Sequence, residues 1–210
     1  WYLPEVLDQD IRILRERLIP LVLNTVLLHP SEADGLFAAC PGANELPMGR
    51  GALEPALWDL YGKVVEQPLW QLIGGQAPEG TDAVAVPAGA GTAYFSAQAV
   101  RKAFPDLVVS LDANQSFTEH DIEELRNLDE LDIAWIEEPL DPRRPVASGP
   151  HDLFARLAQL QRRIKTPVCL DESIVSARDL ARVLKHPELK CFALKIGKFG
   201  GIEPALQFVH

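Results

Sequence analysis

Cysteine is scarce: three residues in 210, at positions 40, 169 and 191, far apart and without C-x-x-C spacing. That argues against a disulfide-framed scaffold and against a thiolate zinc site. Two of the three lie in apolar runs, where a free thiol behaves as a small buried hydrophobe. A reducing compartment, the cytoplasm, is therefore expected. Basic charge is also in deficit, with 20 Lys and Arg against 30 Asp and Glu and a net charge of −10. Nucleic acid and anionic membrane surfaces are consequently not expected partners. No uninterrupted apolar run has the length of a membrane span. A basic segment leading into an apolar core is missing at the start, as is an initiator methionine, so no secretory signal is read. The chain is expected to be part of a longer polypeptide. The five histidines are neither adjacent nor at metal-ligand spacing, and all are read as surface or structural.

What remains is an ordinary globular composition, 47% hydrophobic and 24% charged, on a chain long enough to bury a sizeable core unaided. From Pro4 to Leu23, apolar residues recur at helical spacing (Val6, Leu7, Ile11, Leu14, Leu18, Ile19), which predicts an amphipathic helix. GALEPALWDLYGKVVEQPLWQLIGG predicts a helix over about 52–65 and a second, short one begun by Pro68 and stopped by Gly74 and Gly75. After Pro78 the texture changes. VAVPAGA, DLVVSLDAN, IAWIEEPL, TPVCLDES and CFALKIGKFGG read as strands, with amphipathic helical segments at 94–104, 118–131, 152–164 and 176–185 between them. This alternation predicts a parallel sheet with helices packed outside, of the α/β class; a doubly wound sheet and a (β/α) barrel both fit. The one linker-like stretch is 141–150, with three prolines in ten residues.

Four successive predicted strands end in an ionisable residue: Asp112, Glu137, Asp171 and Lys195. Their separations of 25, 34 and 24 residues are each about one βα unit. Active sites of barrels are built at that end of the strands. Three converging carboxylates repel one another unless a cation lies between them. Oxygen donors without His or Cys suit magnesium, with manganese as the alternative, rather than zinc. Taken singly, each carboxylate is as readily a polar strand cap; the repetition on consecutive strands is what favours a metal. Lys195 is either an ion-pair partner for one of them or an acid/base group whose pKa a metal lowers. Gly197, Gly200 and Gly201 suggest a tight loop where backbone approaches a ligand.

The strings LDAN, WIEEPL, LDES and LKIGKFGG, in this order, resemble the enolase superfamily and its muconate-lactonising subgroup. AFPDLVVSLDAN and RLAQLQRRIKTPVCLDESI look closest to its o-succinylbenzoate synthase and N-acylamino-acid racemase branch. GALEPALWDLYGKVVEQPLWQLIGG resembles the helical part of that family's capping domain. The resemblance covers nearly the whole chain. It implies a (β/α)7β-type TIM barrel, incomplete here, over residues 79–210, and the helical portion of an α+β capping domain over residues 1–78. It also implies that Asp112, Glu137 and Asp171 ligate Mg2+, or Mn2+ in its place. Lys195 would be one of two facing acid/base lysines, or a cation beside the substrate ring. Asn114 and Glu172 would support the ligands rather than bind the metal. The implied reaction removes the proton α to a carboxylate. o-Succinylbenzoate synthase, a dehydration in menaquinone biosynthesis, comes first and N-acylamino-acid racemisation second, ahead of dipeptide epimerisation and muconate cycloisomerisation. A small-molecule carboxylate substrate and a closed homo-oligomer follow from the same reading.

The chain also departs from the family. A Lys-x-Lys pair belongs at the end of the strand before Asp112, and TDAVAVPAGAGTAYFSAQAVRKAFPDL contains none. The expectation is that about one βα unit is missing between Ala90 and Tyr94. A barrel relative that binds metal without a base is the rival of another class. Trp58, Trp70 and Trp135 are read as packing residues, and Phe192 and Phe199 as candidates to line an apolar pocket. Arg143 and Arg144 are read as a solvated loop.

Overall fold

The computed structural model describes residues 4–76, 82–145, 147 and 149–209, and their contacts divide the chain into two units. The first holds Trp1–Glu79 with Leu194–His210, and the second holds Gly80–Ala193. The division after Glu79 lies one residue from the expected one at 78/79, and by contacts 194–209 cluster with the first unit.

In the first unit, α1 (Pro4–Ile13), a π-helical turn (Leu14–Leu18) and α2 (Ile19–Leu23) run on from one another, covering the predicted amphipathic helix. Ile13 and Leu18 enter a core with Ala33, Phe37 and Ala43, against which Cys40, Leu53 and Leu57 pack. Helix α3 spans Glu32–Ala38 and α4 Pro47–Val65. The latter starts earlier than predicted because Pro47 sits in its first turn, where a missing N–H costs nothing. Helix α5 (Leu69–Leu72) follows Pro68 as expected. Two short helices, α10 (Ile196–Phe199) and α11 (Ile202–Val209), pack on α4. Their docking rests on backbone approach: a Cβ added to Gly51 would meet Gly197 Cα at 2.7 Å. Gly201, at φ +137°, leaves room for Glu54, whose carboxylate accepts from the N–H groups of Ile202 (2.7 Å) and Glu203 (2.9 Å) and from Trp58 Nε1 (2.8 Å). Glu54 is fully buried and stabilises the otherwise unpaired N-terminal amides of α11. The glycines after Lys195 therefore serve helix packing.

The second unit is the α/β body. Its strands are β1 (Ala83–Pro87), β2 (Val108–Asp112), β3 (Ile136–Glu137), β4 (Val168–Leu170) and β5 (Cys191–Phe192). Between them run α6 (Ala93–Ala103), α7 (Ile122–Asn127), α8 (Leu153–Gln161) and α9 (Ala177–Val183). All five strands are parallel and lie side by side in chain order, the arrangement of a barrel wall. This is the α/β fold expected, as an incomplete barrel. Val109, Leu111, Ile136, Val168 and Leu170 are buried because helices cover the sheet; Leu125, Phe154 and Leu157 supply part of that cover.

In the chain as given, residues 83–112 form one continuous βαβ unit. β1 pairs directly with β2, from Ala83 opposite Val108 to Pro87 opposite Asp112. The turn between them closes through Thr92 N–H and Ala93 N–H, both donating to Gly89 O at 3.0 Å. One helix is all that a parallel crossover requires, and α6 supplies it. The strand next to Asp112 is thus VAVP itself, and it carries no lysine.

Candidate metal and acid/base site

The register defines a row across the sheet: Pro87, Asp112, Glu137, Cys169 and Cys191 are successive Cα partners. Partners in neighbouring strands are about 4.8 Å apart and share a face. Asp112 and Glu137 therefore stand side by side at the C-terminal ends of β2 and β3. Asp171 lies two residues beyond Cys169, immediately after the end of the neighbouring strand. Asp171 is 1% exposed, whereas Asp112 and Glu137 are half-buried.

Each carboxylate is fixed by its own loop. Asn114 N–H donates to Asp112 Oδ1 at 3.1 Å, so the support expected from Asn114 comes from its backbone, while the residue itself is exposed. Asp171 is held by a residue that the sequence reading passed over. Glu138 Oε1 accepts from Asp171 N–H (2.7 Å), Ser173 N–H (2.9 Å) and the Ser173 hydroxyl. Glu138 is fully buried at φ +39°, and its Oε2 has no hydrogen-bond partner among the described residues. The EEP doublet was its only sequence signal. Burial and the neighbouring Asp171 and Glu138 charges push the Glu172 carboxyl above its ordinary pKa. Negative charge is thus concentrated here, a condition that a cation relieves.

Row neighbours Cys169 and Cys191 were not expected at the site. Their register puts both side chains on one face of the sheet. Interaction with Cys191, then burial and the nearby Glu137 and Asp171 charges, raises the Cys169 pKa, while interaction with Cys169 lowers that of Cys191. At the far side of β3, Asp141 holds Arg143 and Arg144, which hold its carboxyl well below the usual range. Both arginine side chains remain largely exposed, as a solvated loop would have them, while clamping Asp141.

Donor type and backbone position fit a hard cation, since all three residues offer oxygen from adjacent strand ends. Among the described residues, however, no three His, Cys, Asp or Glu side chains are drawn together into a metal cage. Lys195 belongs to the first unit and is the residue immediately before α10. Phe199 stacks on Phe208 (centroids 4.4 Å apart), and Trp58 is buried beside Glu54, both as packing residues. No helix among the described residues is long and apolar enough to cross a membrane.

A parallel sheet with a row of acidic strand ends defines a class, the acid-lined (β/α) barrels. Within it, this chain belongs to the enolase superfamily: residues 76–210 match the enolase C-terminal domain-like family, and residues 9–74 match the mandelate racemase / muconate lactonizing enzyme N-terminal domain. It is 33% identical to an o-succinylbenzoate synthase of Geobacillus kaustophilus, covering 96% of this chain and 58% of that protein. A Thermus thermophilus N-succinylamino acid racemase is 29% identical, over 94% of this chain and 57% of its own length. A solved enolase-superfamily structure from Enterococcus faecalis superposes with a TM-score of 0.72 at 29% identity, over 96% of this chain and 58% of that one. The chain thus spans less than two thirds of these relatives. Its alignment with the Geobacillus protein runs over 228 positions, more than this chain's 210 residues, so that relative carries internal residues absent here.

Proposed function

We propose that this chain carries the metal-binding part of an enzyme that removes the proton α to a carboxylate, with the o-succinylbenzoate synthase reaction as the first candidate and N-acylamino-acid racemisation as the second. The observation that carries this reading is the side-by-side register of Asp112 and Glu137, with Asp171 immediately after the next strand. Those three residues would hold Mg2+, or Mn2+. Bound there, the ion would neutralise the charge that develops on a small carboxylate substrate as its α-proton leaves. Lys195 Nζ takes that proton or faces the resulting anion as a cation. Glu138 and Asn114 fix the carboxylate loops, and Glu172 sits beside Asp171 as a further support. A homo-oligomer and a cytoplasmic location belong to the same reading.

The place of β1 favours a second reading. Inverting a carbon centre needs proton-transfer groups on both faces of the planar intermediate, and the end of β1, Pro-Ala-Gly-Ala-Gly-Thr, offers none. This favours dehydration over racemisation, and it is also what a metal-binding relative without catalysis would show. The test is magnesium titration by calorimetry alongside dehydratase and racemase assays on the full-length protein. Asp112→Asn, Glu137→Gln and Asp171→Asn are each expected to weaken metal binding by about 10-fold or more. Lys195→Ala is expected to leave binding intact and remove most turnover. Metal binding without turnover of either substrate would select the relative; unchanged binding in all three carboxylate variants would reject the site.

A further inference from the structure

Cys169 and Cys191 are register partners on adjacent parallel strands, so their side chains share a face of the sheet. Parallel neighbours have Cα atoms about 4.8 Å apart, inside the roughly 4.4–6.8 Å range that a disulfide spans. Forming the bond needs the sulfurs to close further, by side-chain rotation and a small shift of one strand. β5 is suited to that shift: it is two residues long and is the last strand of the described sheet. Cys169 is 3% exposed, so a reagent reaches the pair through the half-buried Cys191. Cys191 lines a cavity of about 520 Å3, shared with Lys165, Lys190, Glu188 and Gln161. The two lysines give the cavity a positive character suited to a carboxylate-bearing reagent.

We propose that Cys169 and Cys191 are a modification site, a thiol pair that a small anionic disulfide oxidises to a reversible cross-strand disulfide. The Cys191 sulfur, losing its proton, attacks one sulfur of the reagent and releases one thiolate, leaving a mixed disulfide. The Cys169 sulfur then displaces the second reagent thiolate, forming the Cys169–Cys191 bond. Two protein thiols are oxidised, one reagent disulfide is reduced to two thiols, and the two protons pass to the departing thiolates. The strand that carries Asp171 becomes covalently tied to its neighbour.

The test uses the native chain and oxidised glutathione, read by intact mass and by peptide mapping without reduction. Expected is a loss of about 2 Da with no retained adduct, and a cross-linked pair of tryptic peptides, TPVCLDESIVSAR and CFALK, that dithiothreitol separates. Cys169→Ser should stop at a glutathione adduct on Cys191, and Cys191→Ser should leave Cys169 reduced. Unchanged thiols in the native chain, a stable mixed disulfide, or a bond to Cys40 would each overturn the proposal.

Discussion

Removing the Glu138 side chain is the most direct perturbation of the Asp171 loop. In Glu138→Ala, the amides of Asp171 and Ser173 and the Ser173 hydroxyl lose their shared acceptor. A buried donor left unpaired costs about 1–3 kcal/mol. Part of that is offset because a buried charge, with one oxygen lacking a hydrogen-bond partner among the described residues, is also removed. The net destabilisation is expected to be about 2–4 kcal/mol, which for a chain of this length lowers Tm by about 5–15 °C. Glu138→Gln keeps a carbonyl acceptor in place of Oε1 and should stay within about 1 kcal/mol of the parent. Urea unfolding followed by circular dichroism gives the free energies. Hydrogen exchange at the Asp171 and Ser173 amides reports the loop itself, and should accelerate in the alanine variant alone. The reasoning is refuted if Ala and Gln cost the same, because then charge rather than the acceptor holds the loop. It is equally refuted if Ala costs less than about 0.5 kcal/mol.

Three further outcomes test other parts of the structure. Gly51→Ala puts a Cβ 2.7 Å from Gly197 Cα and must separate α4 from α10; a loss of about 1–3 kcal/mol in thermal unfolding is expected, and a neutral result would deny the close approach. Arg156, fully buried on α8, grips both carboxylate oxygens of Glu119 and donates to Asp141 O at 3.0 Å. Arg156→Ala should cost about 3–5 kcal/mol by stranding Glu119, and Arg156→Lys should fail to restore it because an ammonium lacks the planar fork; full rescue by lysine would count against that geometry. Asp141 has a folded pKa depressed below 3.8, chiefly by its hydrogen bond from Arg143, so its contribution is fully present above the unfolded pKa and fades as pH falls through the folded value. The stability gap between the parent and Asp141→Asn should therefore be flat from pH 7 to about 5 and narrow below about pH 4; a gap that widens on acidification would contradict the clamp.

The alternation of strand and helix was legible because parallel strands are buried on both faces. VVSLD and VCL read as apolar runs wherever they fall, and the intervening helices show their own period. The acidic strand ends were legible for the same reason, since each apolar run stops at a charge. Partnership between strands is a different kind of information. Nothing local in VAVPAGA says that Pro87 will lie opposite Asp112. Nor does anything in LKIGKFGG say that its glycines will meet Gly51 and Glu54, residues almost 150 positions away. The two glutamates of EEPL differ for a related reason. Local sequence makes them equivalent, but register puts Glu137 in the row with Asp112, while a left-handed backbone turns Glu138 under Asp171. The row itself, Pro87 to Cys191, exists only once four pairings are in place. Cys169 and Cys191, 22 residues apart, could look like unrelated buried thiols until that pairing made them neighbours. Chemistry that depends on a single side chain at a strand end is therefore open to sequence reading, whereas chemistry that depends on two side chains sharing a row must wait for the register.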